Sequence, residues 1–307
     1  MNDSSTLTQV DLFQRSIRAV LFLLPSLFFF SVNIFMLLAL LKKPLLLESS
    51  RYILFGHLLF TESLQLFVTN LMYIIAVTRV RMMSYVCVFF TVFATTTVKM
   101  SPVNLAVMSL ERYVAICFPL RHTEIASARR TGIAIAVMWS VGSLDSLIQL
   151  LLFFSLEKTS FSLKSFCYRN RVFRLKIYAI LSDAFIILYF VSVSLIIIFT
   201  YIAIMITVKS ASSNVRNGSK AHKTVLLHLI QLGLCLTSPF FNMIDSHTGL
   251  QASHAVDIQY ALFVSLIIFP KCLSPLIYGL RDQTLRQVIK QYLTFSCKIY
   301  LKPKCGV

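Results

Sequence analysis

The chain is expected to fold as an all-α integral membrane protein, a seven-transmembrane helix bundle with a short interfacial helix after the seventh span. Three observations carry that expectation. Its 307 residues are 57% hydrophobic and only 13% charged, with a mean hydropathy of +0.77, where a soluble domain carries about 25% charged residues. Seven apolar runs each reach the roughly 20 residues needed to cross a hydrocarbon layer of about 30 Å. All but two of the 29 Lys and Arg residues lie outside those runs.

The runs are read as Ala19–Leu41, Tyr52–Thr78, Val86–Leu110, Thr131–Ser155, Ile177–Val208, Val225–Ile244 and Ile258–Leu280. In lipid each must satisfy its own backbone hydrogen bonds, which makes each a helix. Residues 1–18 are then an extracellular tail, 19–280 the membrane domain and 281–307 a cytoplasmic helix and tail. The first sixteen residues are polar and the first apolar run is too long for a signal-peptide core, so no cleaved leader is expected. No soluble catalytic domain fits between the spans.

Orientation comes from the basic residues. With the N-terminus outside, the inner segments hold 17 Lys and Arg and the outer segments 10, six of these in the second outer loop. The net charge of +17 therefore reads as membrane flanks rather than a nucleic-acid surface. After Leu280, Leu285, Val288, Ile289 and Tyr292 recur at helical spacing with Arg286 and Lys290 between them, as in a helix lying on the inner face. Cys297 beyond it is either a palmitoylation site or a free thiol. The seven cysteines form no CxxC and no Cys/His cluster, so no metal site or other cofactor is expected.

Two stretches are more specific than seven spans alone. Met108 to His122 reads MSLERYVAICFPLRH, and Ser274 to Asp282 reads SPLIYGLRD. With the seven spans, they make the chain resemble rhodopsin-like (class A) G-protein-coupled receptors and, within them, the olfactory (odorant) receptor family, most closely its fish-type branch. The resemblance implies a small odorant bound between the outer halves of the helices and a heterotrimeric G protein at the inner face. It further implies a stimulatory G protein, with a rise in cyclic AMP. A rhodopsin-like receptor for an internal metabolite or hormone is the nearer alternative. A secondary transporter would need repeats that the chain lacks.

The same resemblance assigns roles residue by residue. Glu111, Arg112 and Tyr113 would be the inner lock, with Glu111 holding Arg112 at rest, since an Arg at the membrane edge needs a carboxylate or water. Tyr201, Pro239, Ser274, Pro275 and Tyr278 would form the activation switch, Pro275 breaking a backbone bond in the seventh helix. Ser274 stands where the family has Asn. Asn33, Glu62, Ser101, Lys271 and Ser274 would make an intramembrane polar core, Glu62 standing where the superfamily has its sodium-binding acid. Lys271 is expected to pair with Glu62 and displace sodium; a water-filled core without that bond is the alternative.

Ala94, Thr95, Val98, Lys99, Phe185, Tyr189, Phe240, Phe241 and Ile244 would line the ligand pocket. Lys99 and Asp145, on the third and fourth spans, either serve that pocket or pair structurally across neighbouring helices. Asp183 on the fifth span is a further intramembrane charge. Cys87 lies 25 residues before Arg112, about 37 Å of helix at 1.5 Å per residue, hence at the outer end. Cys167 is the one cysteine in the second outer loop. In an oxidising exterior those two imply a disulfide. Asn2 opens a glycosylation sequon on the outer tail.

Overall fold

The computed structural model describes residues 3–78, 80–156, 164–167, 173, 175–211, 233, 286 and 287. Apart from residues 233, 286 and 287, the expected sixth and seventh spans and the helix after them lie outside the described residues. So do Asn2, Pro239, Phe240, Phe241, Ile244, Lys271, Ser274, Pro275, Tyr278 and Cys297.

The described chain is five long helices joined by short segments. Helix α1 is Asp3–Leu41, so helical backbone already runs through the stretch read as a tail. A short 3-10 turn, Pro44–Glu48, leads to α2, Ser50–Val77. Then come β1, Arg81–Met83, and α3, Ser84–Cys117. A second 3-10 turn, Pro119–Arg121, precedes the one-turn α4, His122–Ile125, and α5, Ala128–Leu156. Strand β2, Lys164–Phe166, and α6, Lys176–Ala211, complete the set. Helices α5 and α6 are thus the fourth and fifth spans. All five long helices contain stretches long and apolar enough to cross a membrane.

Local chemistry sets the ends. The Thr78 hydroxyl donates to the Ile74 carbonyl at 2.7 Å and closes α2. Phe118 precedes Pro119, a position where helical backbone is disfavoured, and α3 stops there. The 34 residues of α3 span about 51 Å at 1.5 Å each, well beyond the hydrocarbon. The helix ends at Cys117, seven residues past the expected end at Leu110, and its last two turns carry residues 111–113.

One feature departs from an all-helical reading. β1 and β2 pair antiparallel, with Arg81 opposite Phe166 and Met83 opposite Lys164. The ladder supplies backbone partners to the segments before α3 and before Cys167, and the Arg81 guanidinium lies 5.3 Å from the Phe166 ring centroid.

Packing is inverted relative to a soluble bundle. Phe28, Phe89, Leu151 and Ile180 are each more than 60% exposed, while Glu62, Thr97 and Asn104 are fully buried. Lipid imposes no cost on apolar surface, so the polar side chains must find one another inside. Helix α3 is the axis, packed against α2, α5 and α6. One apolar cluster joins Leu40, Phe55, Leu58, Leu105 and Met138 from α1, α2, α3 and α5. At the outer end Val88, Phe153, Phe173 and Tyr178 pack around Cys87 and Cys167. At Gly142 of α5 the Met100 side chain of α3 fills the space that a Cβ would take.

Candidate functional site

Near the C-terminal end of α3, Glu111 is almost buried, its side chain 7% exposed. Its Oε2 faces Arg112 Nε at 3.5 Å. Its Oε1 accepts from Ser50 Oγ, the first residue of α2, at 3.2 Å, and from His122 Nε2, the first residue of α4, at 3.2 Å. A carboxylate only accepts, so the facing His122 nitrogen carries the proton. Tyr113 instead packs against the rings of Phe118 at 5.7 Å and Phe199 of α6 at 5.6 Å. Tyr201 lies half-buried on the same helix.

At the membrane centre, Asn33, Glu62 and Ser101 are buried to 2%, 0% and 1% exposure on three different helices. Asn33 Nδ2 and Ser101 Oγ make no hydrogen bond within the described residues. Both expected companions, Lys271 and Ser274, lie outside them.

Nearer the outer side, Lys99 Nζ pairs with Asp145 Oδ2, with side-chain exposures of 11% and 2%. Of the two readings open from sequence, interhelical pairing is the contact observed. The ammonium also sits 5.8 Å from the Tyr189 ring centroid, and the Tyr189 hydroxyl donates to the Val141 carbonyl one turn before Asp145. Thr96 donates to Ser146 at 2.9 Å, and Thr95 lies 3.4 Å from the same hydroxyl. Lys99, Thr95 and Tyr189 thus share one polar seam between α3, α5 and α6. Ala94, Val98 and Phe185 are half-buried and join none of these hydrogen bonds. Above the seam, a disulfide joins Cys87 to Cys167, with Cα atoms 5.5 Å apart.

Sequence reasoning missed a second polar link. Trp139 Nε1 donates to His57 Nε2 at 3.0 Å. The His57 proton therefore sits on Nδ1, facing Asn104 Oδ1 at 3.4 Å. Asn104 Nδ2 in turn donates to the Leu54 carbonyl at 3.0 Å. The relay ties α5, α2 and α3. Its signal was the chain's single tryptophan lying in a span, since an indole N–H in lipid needs an acceptor. Ser50 and His122 were missed too, and nothing in their spacing singled them out.

The structure thus has five helices apolar enough to cross a membrane, an Arg112–Glu111 contact near the C-terminal end of α3 and a disulfide at its N-terminal end. Residues 17–278 match the family described as 7 transmembrane receptor (rhodopsin family), and the chain belongs to that family. Within it, the chain is 35% identical over 210 residues to Odorant receptor 131-2 of Danio rerio, covering 66% of this chain and 63% of that protein. It is 29% identical to Olfactory receptor 1078 of Rattus norvegicus, covering 62% and 57%. With Olfactory receptor 10AD1 of Homo sapiens it shares 26% identity over 80% of this chain and 79% of that one. The first two matches span about three-fifths of those relatives' own length.

Proposed function

We propose that the protein is an odorant receptor of the plasma membrane, with its N-terminus outside, that binds a small odorant and activates a heterotrimeric G protein. The observation carrying this reading is the Glu111–Arg112 contact at 3.5 Å on the opposite end of α3 from the Cys87–Cys167 disulfide. A disulfide persists on the oxidising side, which supports an outer start for α3 and an inner position for Arg112. The names of the relatives support odorants as the ligand class.

The odorant binds between the outer halves of the helices, beside the seam of Thr95, Lys99 and Tyr189. It acts by its differential affinity for two states, favouring the one in which the inner ends separate. Arg112 then leaves Glu111 and meets the G protein, which is of the stimulatory type and raises cyclic AMP. Tyr201 and Tyr278 support the open state, and Lys271 pairs with Glu62 in place of sodium. Lys99 pairs with Asp145, so among the described residues the seam favours an uncharged odorant over an anionic one.

The test is a panel of neutral, acidic and amine odorants applied to cells carrying the full receptor, with cyclic AMP as readout. A response to a neutral odorant that vanishes in surface-expressed Arg112→Ala is the expected result. Undiminished signalling by Arg112→Ala would overturn the lock.

A further inference from the structure

An apolar groove of about 460 Å³ lies between the Cys87 end of α3 and the last turns of α5. Phe89 and Phe90 form its α3 wall, and Leu150, Phe153 and Phe154 its α5 wall. Tyr85, in the first turn of α3, lines the end nearest the loops. Tyr85, Phe89 and Phe93 follow one another at four-residue spacing on one face of α3. The rings of Phe89 and Phe93 lie 3° from parallel, with centroids 6.3 Å apart. The column runs about 12 Å along the helix at 1.5 Å per residue. Among the described residues the lining carries no charge and a single hydroxyl, that of Tyr85. The groove is continuous with the lipid-facing surface, since Phe89 is 64% exposed and Leu151, beside Leu150, 67%.

We propose that this groove is a binding site for a membrane sterol. Its occupant comes from the bilayer, because an apolar groove on a spanning segment faces hydrocarbon and not water. Phospholipids present charged headgroups, for which the described lining has no partner, and flexible chains, which lose rotamer freedom when held. A sterol is a rigid, flat, apolar body with one neutral hydroxyl at one end. The body lies along the Phe89–Phe93 column. The hydroxyl meets Tyr85, which can both donate and accept, at the level where tyrosines sit in membranes. Val88 and Phe153, at the floor of the groove, are buried and belong to the cluster packed around Cys87, Cys167 and Phe173. A bound sterol therefore braces the end of the receptor at which the second outer loop is tied to α3. The site is separate from the Lys99 seam and from Arg112, so it stands whichever odorant or signalling partner the receptor takes.

The experiment places the full receptor in phosphatidylcholine bilayer discs. Cholesterol carrying a ring diazirine is the photoaffinity probe, and mass spectrometry of the labelled peptides is the readout. The expected result is saturable labelling of residues 85–93 and 150–154, displaced by plain cholesterol. Cholesteryl methyl ether, whose hydroxyl is capped, displaces it about fivefold less well, the scale of one neutral hydrogen bond, and Tyr85→Phe erases that difference. Phe89→Ala weakens labelling about tenfold at little cost to folding, because the ring it removes faces lipid. Should the Ala form fail to reach the membrane, Phe89→Leu, which keeps apolar bulk but not the flat ring, gives the same comparison. Cholesterol should also raise the Tm of the unaltered receptor by about 5 °C and leave that of Phe89→Ala unchanged. Labelling that never saturates and spreads evenly over the lipid-facing helices overturns the proposal, the groove then being covered by bulk lipid only. A diazirine-bearing phosphatidylcholine that labels the same stretches as saturably puts an acyl chain there and overturns it too. Full labelling and an undiminished Tm rise in both Phe89 variants do the same.

Discussion

Among the described residues, the Lys99–Asp145 and Glu111–Arg112 pairs of α3 differ in the features that govern whether a pair can open. Lys99 and Asp145 are 11% and 2% exposed and join two spans inside the membrane, with the Tyr189 ring over the ammonium. Glu111 and Arg112 are 7% and 22% exposed, 3.5 Å apart, and lie at the water boundary. Substitute donors from α2 and α4 already hold the carboxylate there. Opening the first pair would strand a charge in hydrocarbon, whereas opening the second exchanges one partner for others and for water. In the proposed mechanism the first pair acts as a clamp and the second as a switch.

The largest expected effect tests the clamp. Asp145→Asn leaves Lys99 without its counter-ion and costs about 3–5 kcal/mol, enough to deplete the receptor from the cell surface. Flow cytometry on an outer tag measures this, and the double variant Lys99→Met, Asp145→Leu restores surface level by removing both charges. Normal surface level for Asp145→Asn alone would mean that the pair is no clamp.

A neutral link provides the intermediate case. Trp139→Phe removes the donor to His57 but keeps the ring, and the cost is about 1–3 kcal/mol for a buried acceptor left unpaired. Thermal unfolding of purified receptor in detergent should show a lower Tm with agonist response retained. An unchanged Tm would place the relay among the dispensable contacts.

The smallest stability effect belongs to the switch. Glu111→Gln should alter stability by no more than about 1 kcal/mol, as expected of a partly solvated pair. Ligand-free cyclic AMP per surface receptor should nevertheless rise severalfold. If Glu111→Gln instead cost as much surface expression as Asp145→Asn, the contrast between the two pairs would be lost.

The five described spans and the two cysteines of the disulfide were legible in the residues. Hydropathy over some 20 residues and the demand that each span satisfy its own backbone are local constraints, and lipid removes most alternatives. The helical backbone through residues 3–18 and the β1–β2 ladder were not legible. Three-residue strands have too little period to read, and their pairing joins segments about 80 positions apart.

Partnership among polar side chains was decided by tertiary structure alone. Lys99 finds Asp145 46 residues away and Trp139 finds His57 82 residues away, while Glu111 draws in His122 across the bend at Pro119. From the sequence, each could be recognised as a polar group in apolar surroundings that required a partner. Which partner it took depended on how α2, α5 and α6 turn their faces toward α3. Helix formation is a short-range consequence of composition in lipid. The choice of contacts belongs to the assembled bundle.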